Sequence, residues 1–118
     1  MTRFFVLFSI PGRVIDEWRK NTPPEKAKAA SDEMMAAWQK WMEQNGKSLV
    51  DRGMPLGKTK RITAQGVADV RNDLNWYLIV DAESHEAAAK MFASHPHLQI
   101  PEASIEVMAI PNPMGMQT

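Results

Sequence analysis

The stretch Leu74–Leu98 (LNWYLIVDAESHEAAAKMFASHPHL) limits what this chain can fold into more than any other. With a period of two, Leu74, Trp76, Leu78 and Val80 point one way and Asn75, Tyr77, Ile79 and Asp81 the other. Trp, Tyr, Ile and Val favour a pleated, packed surface. Apolar residues on both sides describe a strand that needs cover on both faces. A helix follows directly. Ser84 is its N-cap, Glu86 sits near the positive end of the dipole, and Ala88, Met91, Phe92 and His95 recur at helical spacing. Pro96 ends this helix, since it cannot continue the hydrogen-bond ladder and disfavours a helical residue before it.

Upstream, Arg3–Ser9 predicts a first strand, again apolar on both faces through Phe4, Val6 and Phe8 against Phe5 and Leu7. Ile10-Pro11-Gly12 breaks it, and residues 13–21 read as a short helical turn or a loop. Thr22-Pro23-Pro24-Glu25 opens a long helix, with Thr22 as cap, Pro23 in the first position and Glu25 completing a capping box. At about 100° per residue, Ala27, Ala30, Met34, Trp38, Trp41 and Asn45 fall on one sheet-facing stripe. Gly46 stops the helix.

Lys47–Asp51 reads as a short strand, Arg52–Gly57 as a turn-rich link and Lys58–Thr63 as a polar edge strand whose cations discourage further pairing. Val67–Asp73 either continues a hairpin or forms a loop. Ala103–Ile110 is the closing strand, and the Pro/Gly-rich residues 111–118 form a flexible tail. The order predicts one α+β domain over residues 1–110, a ferredoxin-like βαββαβ sandwich with an antiparallel sheet and two helices on one face. The other face would then carry Phe5, Leu7 and their neighbours. Left wet, it exceeds the few hundred Å² or so of apolar patch usual on a monomer. The expectation is a homodimer joined through the sheet face, a dimeric α/β barrel.

Composition narrows the function. Fourteen basic and fourteen acidic side chains cancel, so no strong field draws nucleic acid or an anionic membrane. Cysteine is absent, which rules out disulfides and thiolate ligands and fits a cytoplasmic location. The apolar run near the N-terminus is too short to span a bilayer and alternates like a strand. There is no phosphate-cradling glycine loop, nucleophile elbow or HExxH motif, and nothing asks for a cofactor.

The candidate chemistry is sparse. His97 is the best general acid or base, and Asp51 its helper at the end of the second strand. Trp38, Trp76 and Met34 are candidates to wall an apolar cleft between the long helix and the sheet, with Tyr77 offering a hydroxyl and Arg61 a charge for an anionic substrate. Each has a plainer structural reading: a histidine capping a helix end, a turn-capping aspartate, aromatics that simply fill a core, an arginine protecting an edge. His95 and His97 flank Pro96 but have no nearby carboxylate or thiolate to complete a metal set, so no metal site is expected. His85 opens a helix and is read as facing solvent.

The segments LVDRGMPLGKTKRI, LNWYLIVDAESHEAAAKMFASHPHL and SIEVMAI, in that order and spacing, resemble the YCII-related (DGPF-type) family from strand one to Ile110. The resemblance implies a ferredoxin-like subunit and a dimeric α/β barrel. Most members of that family have no assigned activity, and one branch resembles cofactor-free enzymes acting on chlorinated hydroxyquinones. The sequence departs from the pattern at three places. Val67–Asp73 replaces the Asp-Gly-Pro-Phe block, Trp76 stands where a glycine usually precedes the tyrosine, and the long helix has no histidine, Met35 or a neighbour occupying its place. The family's proposed His–acid dyad is therefore not carried over. Two functions are expected: a cofactor-independent small-molecule lyase, isomerase or dehalogenase using His97 and Asp51, or a non-catalytic small-molecule-binding or accessory homodimer.

Overall fold

A computed structural model describes residues 1–111; all but the first residue of the expected tail lies outside the described residues. The elements run β1 (Thr2–Ser9), α1 (Gly12–Asn21), α2 (Pro24–Gln44), β2 (Leu49–Asp51), β3 (Thr59–Thr63), β4 (Gly66–Val70), β5 (Leu74–Ala82), α3 (His85–Met91) and β6 (Ser104–Ile110). Four strands form an antiparallel sheet in the order β2-β5-β1-β6, compatible with a ferredoxin-like sandwich.

The register places Phe4, Val6 and Phe8 opposite Val80, Leu78 and Trp76 on one side, and Val107 and Ile105 beyond them. This is the face that the helices cover. Phe4, Val6, Phe8, Leu78 and Val80 are at most 1% exposed, and they join Trp41 from α2 with Ala88 and Phe92 from the α3 segment in one core. Phe5, Leu7, Tyr77 and Ile79, the intervening residues, lie on the opposite side and are half-buried. The period-two reading holds from Trp76 to Val80 and along β1 to Phe8; a register shift between Phe8 and Ser9 sets Leu74 opposite Ser9 and breaks the alternation there.

Local chemistry explains the helix ends. Ser84 caps α3, its Oγ accepting from the Ala87 N–H at 3.0 Å. Trp41 Nε1–H donates to the Met91 carbonyl at 3.2 Å, satisfying one of the acceptors that the end of α3 leaves open. That end comes earlier than the spacing of Phe92 and His95 predicts. The chain leaves the helix at Met91 and re-enters a short 3-10 turn at Pro96–Gln99. Helical spacing had grouped Phe92 and His95 with α3 because both face the core, but they reach it from the connecting turn.

Two further expectations are corrected. Residues 13–21 belong to a ten-residue helix, α1, not a brief turn or loop. Consequently Thr22 lies in the link that follows α1, and α2 starts one residue late, at Pro24, without a side-chain cap. A proline at the first helical position has no N–H to satisfy, so little is lost. The segment expected as an edge strand of the main sheet is instead β3 of a separate hairpin, paired only with β4. It pairs with neither edge strand of the sheet, β2 or β6. β2 is three residues long, and Gly53 then turns the chain sharply at φ 74°, where a Cβ would lie 1.5 Å from the Tyr77 carbonyl oxygen. Beyond Gly53 the contact with β5 shrinks to an isolated bridge between Pro55 and Trp76, where the Leu56 N–H donates to the Asn75 carbonyl at 2.9 Å.

Candidate functional site

The structure separates the residues that the sequence grouped. His97 is 2% exposed and packs edge-on against Phe8, on the helix-covered face. Its Nε2–H donates to the Ser9 carbonyl at 2.9 Å. Asp51 is registered with Ile79, on the open face. It accepts from the Gly53 N–H at 2.8 Å and from the Tyr77 hydroxyl at 3.2 Å. The imidazole and the carboxylate therefore serve different backbones on different faces and share no hydrogen bond.

The aromatic wall is assembled, but around imidazoles rather than around a cleft. Trp38 meets Phe8 at 4.9 Å, Trp76 at 5.5 Å and His95 at 4.5 Å between ring centroids. Trp41 closes the other side of His95 at 4.7 Å. Trp76 is further held by its own N–H, which donates to the Arg52 carbonyl at 3.2 Å. Met34, higher on α2, is half-buried, and Arg61, on β3, is exposed.

His95 is the residue that sequence reasoning undervalued. It is 1% exposed, and its Nδ1 accepts from the His97 backbone N–H at 3.0 Å. That bond leaves Nε2 to carry the proton of the neutral ring, and Nε2 has no hydrogen-bond partner among the described residues. A second proton would have to go onto Nδ1, against a backbone donor and inside an aromatic cage. Burial, assisted by the neighbouring His97, accordingly pushes the His95 pKa down to about 3. His97 is also lowered by burial, against hydrogen bonds to the backbone of Ser9 and Ser104 that raise it. The usable signal was the HPH spacing, in which a turn carries both side chains back to the core. Among the described residues no group of three or more His, Cys, Asp or Glu is placed to hold a metal ion.

On the open face, Tyr77 stacks on Phe5 at 6.0 Å and donates to Asp51. That hydrogen bond, with desolvation and the nearby negative charge, raises the phenol above its ordinary pKa. Arg3 and Asp81 pair across β1 and β5 on the same face, with Nε 3.1 Å from Oδ1. His85, read as solvent-facing, is exposed but occupied: its Nε2 is 2.8 Å from the Val107 carbonyl oxygen.

A cleft of about 1190 Å³ lies elsewhere, between α1, the β3–β4 hairpin and the start of β5. None of His97, Asp51, Met34, Trp38, Trp76, Tyr77 or Arg61 lines it. Arg71 ties its two walls, donating to both carboxylate oxygens of Asp16 at 2.8 and 3.0 Å and to the Gly12 carbonyl at 3.2 Å. The sequence did not indicate this cleft, because neither α1 nor a hairpin detached from the sheet was legible in it.

No family model and no curated protein matches this chain. No helix among the described residues is long and apolar enough to cross a membrane.

Proposed function

We propose that this protein is a YCII-like homodimer that binds a small molecule without catalysis at His97 and Asp51. The single observation that carries the reading is the inequality of cover on one sheet. Both faces are apolar, but α2 and α3 pack against Phe4, Val6 and Phe8, while among the described residues Phe5, Leu7, Tyr77 and Ile79 stay outside that core and only half-buried. A second copy is the natural cover. The charges on this face that β1 and β5 carry, Arg3 and Asp81, neutralise each other, and Glu106 of β6, registered opposite Leu7, is exposed on the edge strand. The non-catalytic half of the reading rests on His97, which is buried, lowered in pKa and committed to Ser9.

The test is sedimentation. The wild-type chain is expected to be a dimer at micromolar concentration, and Leu7→Glu a monomer with unchanged far-ultraviolet circular dichroism. A wild-type chain that sediments as a monomer at every concentration overturns the proposal.

A second reading, a cofactor-independent lyase, isomerase or dehalogenase, is favoured by one observation only. Asp51 holds the Tyr77 phenol protonated on the face that a second copy would enclose. In that case Tyr77, not His97, would be the proton donor.

A further inference from the structure

The chain as a whole is neutral, but the cleft between α1 and the β3–β4 hairpin is not. Four basic side chains line it, Arg19, Lys58, Lys60 and Arg71, against two carboxylates, Asp16 and Asp69. Both carboxylates are taken: Asp16 by Arg71 at 2.8 Å and Asp69 by Lys60 at 2.6 Å. Arg19 and Lys58 form no ion pair among the described residues, although Arg19 is near enough to Asp16 to help lower its pKa. Beside these charges the lining is apolar, through Ile15, Leu56 and Leu74. Asn75, at the start of β5, also lines the cleft, and its Oδ1 is buried without a hydrogen-bond partner among the described residues.

We infer that this cleft binds a small organic acid, a carboxylate on an apolar body. The carboxylate pairs with Arg19 and Lys58, where the two neutralised pairs leave the only excess charge in the lining. The apolar body lies on Ile15, Leu56 and Leu74. Binding of this kind is worth most where cations lack a counter-charge. The inference rests on the small-molecule-binding half of the proposed function and is independent of dimerisation.

Mandelate and its neutral isostere mandelamide separate the terms, read by calorimetric titration of the full chain in low salt and by amide chemical shifts. The expected result is saturable binding of mandelate, one per chain, with shifts confined to the cleft and mandelamide about tenfold weaker. Arg19→Gln with Lys58→Gln, both surface changes, should lose a similar factor. Lys26→Gln with Lys40→Gln on α2 removes the same charge and should bind as wild type. Equal affinity for mandelamide, or undiminished affinity in the Arg19/Lys58 double variant, overturns the inference while leaving a neutral ligand in the cleft. Absence of any cleft shift with a broad panel of neutral and charged fragments overturns the binding reading itself.

Discussion

The two faces of the sheet are built from the same kinds of residue and end in opposite states. Neighbours on β1 show this most directly: Val6 is 0% exposed beneath the helices, while Leu7, one residue on, is only half-buried on the face that the helices leave. Hydrophobicity alone does not decide burial. What decides it is whether a second layer arrives, and both crossover helices arrive on the same side because their connections share one handedness. The helix side then goes further than an ordinary apolar core, enclosing two imidazoles among Phe8, Trp38, Trp41 and Phe92. The open side carries polar groups in the Asp51–Tyr77 and Arg3–Asp81 contacts and in Glu106, opposite Leu7.

The sharpest way to break the comparison is to place one charge on each face in turn. Val6→Glu is expected to cost several kcal/mol, about what an unpaired buried charge costs, and to leave the chain unfolded by circular dichroism. Leu7→Glu should shift the denaturation midpoint of the separated subunit little. Equal losses in urea titrations of the two variants would show that the faces are not different.

Acid comes next in size. The folded-state pKa of His95 is about 3, below the 6.5 of an unperturbed imidazole. Below about pH 6.5 the unfolded chain therefore binds a proton that the folded chain refuses, and stability falls as pH falls. At pH 5 the loss from His95 alone is roughly 2 kcal/mol relative to pH 7.5 or above, since each pH unit below the unfolded pKa is worth about 1.4 kcal/mol. His97, lowered for the same reason, adds in the same direction. His95→Asn keeps an acceptor for the His97 N–H but cannot titrate. Its stability should be lower throughout and its pH profile between 5 and 7.5 flatter. A wild-type profile that is already flat would show that the helix-side cage does not exclude the proton.

The smallest effect belongs to the open face. Tyr77 is the only tyrosine in the chain, so its ionisation can be followed by ultraviolet absorbance. Its midpoint should lie above 10, the ordinary phenol value, and Asp51→Asn should bring it back down, because the carboxylate that accepts its proton is the first cause of the rise. A midpoint unchanged by that substitution would mean that the two residues do not meet in solution.

Which residues alternate, and hence which side chains share a face, was already written in the chain. β1 and β5 fall in the registers that their period-two patterns require except at Leu74, Ser84 caps α3, and the stripe from Ala27 to Asn45 turns inward most firmly at Trp41, while Ala30 stays exposed. These are consequences of local geometry, which a linear sequence carries. Where each element stops and what lies beside it was decided by tertiary structure. α3 ends at Met91 although its apolar spacing continues, because Phe92 and His95 reach the same core from a turn. The β3–β4 hairpin stands apart because β2 is too short, and its continuation too bent at Gly53, to offer it an edge. His97 and Asp51, which looked like partners, are divided by the thickness of a sheet. The lining of the cleft is drawn from α1, the hairpin and β5, up to about sixty residues apart in the chain, and only folding brings them together.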